Sequence, residues 1–288
     1  MLLGGHLGGA AEPAVPQLLC AGGAEVFLLD ATAAEAGTIN KLWSWTASVE
    51  HGVPEDQLKR FKNLDECKPL DGGKLILICT SNSGCGLIDR AKGKLIWSAA
   101  ATNAHSVERL PGERIVVASS LSGDKLLLFD MRGDASATAV WSAPLKSAHG
   151  LVWDEQRKSL WTLGFNELRR YTLKDWETKT PSLDLQNTWP LPDDDGHDLR
   201  PMPEGADLLV TTEKHVWLFD RVAEKFRKHP HLGDTAGVKA IDVHPTTGRI
   251  AYSLWGQTFS LHAPAADVAV KGNTIYKVRW FVEENGKK

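Results

Sequence analysis

The sequence predicts an all-β protein, a six-bladed β-propeller of four-stranded antiparallel blades. Three observations predict it. Helical periodicity is nearly absent from the 288 residues, and short β-rich runs punctuated by Gly, Pro, Asp and Asn take its place. Six pairs of such runs recur along the chain at a spacing of propeller-blade size. Tryptophans recur in the closing run of the repeated unit.

The stretch 104–141 shows the unit whole: four β-rich runs separated by Pro111-Gly112, Gly123-Asp124 and a polar loop. Its middle pair is 114–119 with 126–130. Equivalent pairs are 17–20 with 25–30, 74–80 with 86–89, 159–163 with 168–173, 208–212 with 216–220, and 249–254 with 258–261. Asp30, Asp89, Asp130 and Asp220 each close a third strand, where a carboxylate accepts from the backbone of the following turn. Trp43, Trp45, Trp97, Trp141, Trp189 and Trp280 are read as fourth-strand residues filling the wedge between blades. Blade starts are expected near Asp65, Asn103, Ser147, Gly196 and Gly237. The first blade shows no inner strand of its own unless residues 2–7 supply it. The strong β-run 275–282 points instead to ring closure by pairing the chain ends in one blade. Only 55–63 and the Ala-rich 32–37 suggest short helices.

Residues 1–11 are small and apolar and precede Glu12-Pro13, and 1–16 are read as the remnant of a signal segment or a flexible N-terminus. Residues 17–288 form the propeller. A signal remnant favours a periplasmic or extracellular location, with a cytoplasmic one left open. Thirty-three basic and thirty-six acidic residues give a net charge of −3, with no Lys/Arg-rich run, so nucleic acid is not an expected partner. No apolar run is long enough to span a membrane. A monomer is expected. The four cysteines lack a CxxC pair; Cys20, Cys67 and Cys79 read as buried free thiols, and a Cys79–Cys85 bridge across one hairpin would require an oxidising compartment.

The first strands carry the residues of chemical interest. Three begin at His105, His149 and His197, spaced by 44 and 48 residues, and Lys239 follows 42 residues later at the start of the sixth. Lys68 lies near the start of the second, beside Glu66, and Asp198 follows His197. A first strand is the innermost of its blade, so these side chains converge on one mouth of the central channel. Nothing in blade packing calls for histidine there. Three uses remain open: a metal site of three neutral imidazoles, an anion or sugar-acid site built from His and Lys donors, or hydrogen bonding to neighbouring strands and channel water. Asp193-Asp194-Asp195-Gly196 lacks the alternating ligands of a calcium loop and reads as the turn delivering His197.

The set Trp43-Ser44-Trp45, Asp65-Glu66-Cys67-Lys68-Pro69, Gly72-Gly73, Asn103-Ala104-His105-Ser106, His149 to Trp153, Gly196-His197-Asp198-Leu199 and Val238-Lys239 resembles an uncharacterised bacterial propeller family, catalogued as a domain of unknown function. The resemblance implies six blades and export, and transfers no activity. More loosely, the three histidines are similar to those of oligogalacturonate lyases, propellers whose channel histidines hold a divalent metal.

The expected function is binding of a small polar or acidic ligand, such as a sugar acid or other carbohydrate, through His105, His149, His197 and Lys239, with Lys68, Asp198 and Glu66 alongside. The alternatives are a lyase-like carbohydrate-active enzyme holding Mn, Zn or Ni on His105, His149 and His197, and a non-catalytic interaction propeller using the same mouth.

Overall fold

Each β-run pairs with the next through a tight turn, so local hairpins account for most of the strand pairing. A computed structural model describes residues 15–132 and 137–283, and the expected propeller is what it contains: six four-stranded antiparallel sheets. From the channel outward, the second blade is Leu64–Leu70, Leu75–Thr80, Gly84–Asp89 and Lys94–Ala100. The third is Ala104–Leu110, Arg114–Ser119, Lys125–Asp130 and Ala139–Pro144. The fourth to sixth repeat this order from inner strands Gly150–Asp154, Asp198–Pro201 and Ala240–Val243.

The first blade is closed by the far end of the chain. Lys277–Phe281 is its inner strand, paired antiparallel with Gln17–Gly22 in the register Leu18↔Trp280 and Cys20↔Val278. The alternative, 2–7, lies outside the described residues. This closure corrects one reading: Trp280 sits in an inner strand, not a fourth strand, because the closing strand contributes the inner edge. Ring closure leaves no open ring edge to recruit another chain.

The short helices form where composition suggested. Ala31–Glu35 is α-helical, with the Asp30 carboxylate accepting from the Ala33 amide at 2.9 Å, and Glu55–Phe61 is a 3-10 helix. Asp89, Asp130 and Asp220 likewise accept from the amides of Lys92, Arg132 and Val222 in the turns they open.

The wedges between blades hold the core. Trp45 lies edge-on to Phe61 (6.2 Å between centroids), Trp97 to Phe129 (5.8 Å), and Trp189 tilts against Phe219 (5.1 Å). Each apolar side chain buried there contributes about 1.5–3 kcal/mol. Gly150 marks a close approach: a Cβ there would lie 2.5 Å from that of Leu199 in the next blade. All four cysteines are buried and free, and burial pushes the Cys85 thiol up to about 12. Among the described residues no helix is long and apolar enough to cross a membrane.

Candidate functional site

The six inner strands share one register, and it sorts their residues into layers. The outermost position is Asp65, His105, His149, His197, Lys239 or Tyr276, one from each blade. In four blades this residue lies just before the strand and its amide bonds the neighbouring strand: His149 to Leu163, His197 to Thr211, Lys239 to Ser253 and Tyr276 to Ala21. In the other two the pairing register shifts around Asp65 and around His105. Such bulges re-aim a side chain. All six residues line one cavity of about 300 Å³ at the channel mouth.

Below this crown lies a sealed layer of charge. Arg279 grips Asp198 with both terminal nitrogens (2.8 Å each) and reaches Glu66 at 2.9 Å. Lys277 donates to Asp198 at 2.9 Å and to the Lys239 carbonyl at 2.8 Å. These four side chains are at most 1% exposed. Lys68 is turned inward, donating to Glu108 at 2.9 Å and to the Leu151 carbonyl at 2.7 Å. Burial alone would raise the pKa of Asp198 and Glu66; Arg279 leads the cations that hold both below the usual carboxylate range. Glu66, Asp198 and Lys68 are therefore committed to partners within the protein, beneath the crown.

His105, His149 and His197 come together as the repeat spacing implied. Their rings stand in sequence, 4.4 Å and 5.4 Å between centroids. Burial pushes the His105 imidazole down to about 4 and holds His149 well below its ordinary value. Both are neutral at pH 7. Nδ1 of His105 faces the Asn103 carbonyl at 3.1 Å and Nδ1 of His149 faces that of Ser147 at 2.8 Å. A carbonyl only accepts, so Nδ1 carries the proton and Nε2 keeps a bare lone pair. His197 differs. Its Nε2 lies 2.5 Å from Lys239 Nζ and 3.2 Å from Glu213 Oε2, and its buried Nδ1 has no hydrogen-bond partner among the described residues. Burial and then Lys239 lower its pKa.

Three further residues, not singled out by the repeat of histidines, line the cavity. Asp65, 4% exposed, accepts the Ser81 amide, and burial pushes its carboxyl up to about 7. Tyr276 packs edge-on to His105 at 5.8 Å. Trp255 stands at the rim, 63% exposed. Asp65 and Tyr276 were legible in principle, since each sits immediately before Glu66 or Lys277 at the position His105 holds before Ser106. Trp255 lies in a loop and had no repeat position to reveal it.

For a metal, the group among the described residues whose ligand atoms lie within 4.8 Å of one another is Asp195, His197 and Glu213. This set shares only His197 with the trio expected from sequence. Lys239 Nζ sits against the same His197 and Glu213 atoms. Two of the three residues that could hold a cation, His197 and Glu213, thus already hold an ammonium.

A family model described as a family of unknown function, DUF6528, matches residues 27–286, and the chain belongs to that family. No curated protein matches the sequence.

Proposed function

We propose that this member of the DUF6528 family binds a small polar or acidic organic ligand, of sugar or sugar-acid size, in the crown at its channel mouth. One observation carries the reading: six blades each direct one polar side chain into the same cavity, over a floor of buried charge that needs no ligand. The crown offers acceptors in the bare Nε2 atoms of His105 and His149 and in Asp65. It offers donors in Lys239 and the Tyr276 hydroxyl. Hydroxyl groups suit the first set and a carboxylate suits Lys239. The cavity is at the small end of the range for organic-ligand sites.

Isothermal titration with a panel of aldoses, uronic acids and α-hydroxy acids tests the reading. Binding to the wild type, weakened by His105→Gln and by Lys239→Gln, is the expected result. No binding by any panel member, or binding indifferent to both substitutions, would remove its support.

A second reading, a divalent-metal-dependent carbohydrate-active enzyme, draws on the proximity of Asp195, His197 and Glu213. It requires Lys239 to leave His197 before an ion can enter.

A further inference from the structure

We propose that the crown's ligand is a pyranose ring, stacked on Trp255 and hydrogen-bonded through adjacent hydroxyls to Asp65. This rests on the ligand reading above and narrows it to one chemical class.

Trp255 is the exposed member of eleven tryptophans; the other ten are buried or half-buried. Its backbone is also left-handed, at φ 66°. For a bulky aromatic residue that conformation is disfavoured, and strain of this kind persists where the surroundings enforce it. The loop is pinned from the far side: the Ile275 amide donates to the Gly256 carbonyl at 2.6 Å, one residue before Tyr276. The indole is thereby set 6.4 Å from the Tyr276 ring, nearly perpendicular to it, at the cavity rim. An exposed apolar ring in a strained loop gains nothing for folding. It does supply a flat face to a ligand that has one.

Asp65 supplies the complementary half. It lies in the blade next to that of Tyr276 and, unlike Glu66 and Asp198, has no cation in contact among the described residues. When ionised, its two oxygens can accept from a pair of neighbouring hydroxyls while one keeps the Ser81 amide. A pyranose presents an apolar C–H face and an edge of adjacent hydroxyls on the same rigid ring. A purely anionic or open-chain ligand would use Lys239 and leave both Trp255 and Asp65 unexplained.

Saturation-transfer NMR with methyl β-D-glucopyranoside, methyl β-D-galactopyranoside, methyl β-D-glucuronide and open-chain gluconate provides the test. At least one pyranoside should bind, with transfer concentrated on the ring protons of one face. Trp255→Ala should weaken it about tenfold, Trp255→Phe should retain most of the affinity, and Asp65→Ala should weaken it while Trp255 stacking persists. Because Trp255 is exposed, its variants should keep the wild-type fold by circular dichroism. Gluconate bound in the absence of any pyranoside would overturn the pyranose class and leave the crown reading standing. Pyranoside affinity unchanged by Trp255→Ala would overturn stacking. No binding by any of the four would count against both.

Discussion

Lys239 Nζ lies 2.5 Å from Nε2 of His197 and 3.2 Å from Oε2 of Glu213, so one ammonium occupies two of the three acceptors that a divalent ion would need. An ammonium and an ion cannot share those lone pairs, and at such separations their charges repel strongly in a partly buried site. Lys239→Ala should therefore bind zinc at the Asp195, His197 and Glu213 cluster at least tenfold more tightly than the wild type. Titration calorimetry with zinc alone reads this. Stoichiometric zinc in the wild type, lost in Glu213→Ala, would instead favour the metal-dependent reading.

Acid should weaken the protein through its crown. Burial lowers the folded-state pKa of His105 to about 4, against an ordinary value of 6.5. Between those values the unfolded chain takes up a proton that the folded one refuses, so stability falls as pH drops from 6.5 towards 4, by up to about 1.4 kcal/mol per unit for each such histidine. His149 is shifted in the same direction. Urea unfolding of wild type and His105→Gln across this range should show a shallower acid loss in the variant; parallel curves would contradict a neutral buried His105.

Asp65 works in the opposite sense. Its folded-state pKa is raised to about 7 from 3.8, so the folded state keeps a proton that the unfolded chain releases. The stability this contributes is present below about pH 4 and is lost as pH rises towards 7. Asp65→Asn, which can still accept from Ser81, should raise the melting temperature by a few degrees at pH 8 and much less at pH 5. An equal shift at both pH values would indicate that Asp65 does not titrate there.

The charged floor should be intolerant of single removals. Arg279 is fully buried between Asp198 and Glu66, and taking it away leaves two carboxylates without their main partner. Arg279→Met should cost about 3–5 kcal/mol in urea unfolding. A loss below about 1 kcal/mol would mean that the two carboxylates are satisfied without it.

The blades were legible in the sequence because a propeller repeats one hairpin order, and turn dipeptides with strand-ending aspartates mark each copy. The three histidines were legible for the same reason: the repeat places them at one height in successive blades. Asp65 and Tyr276 occupy that height too, yet they differ from histidine in chemical type, so the repeat does not single them out. Lys68 looked like a flank of the mouth by its proximity to Glu66, but a three-residue step along an inner strand moves a side chain down to the ion layer, where Glu108 holds it. Trp255 belongs to a loop, and its exposure depends on a backbone turn that no local pattern announces. The place of Trp280 is not legible, because ring closure joins residues far apart in sequence, and strand type alone does not say which edge a terminal strand takes.

The central claim is that the crown receives a ligand. It is tested most directly by titrating the sugar and sugar-acid panel into protein with ¹³C-labelled histidine. Specific binding should move the ring signals of His105, His149 and His197 together and saturably, leaving His51, His231 and His262 unmoved. Saturable binding that shifts only those outer histidines, or a full panel that shifts none of the three crown histidines, would contradict it.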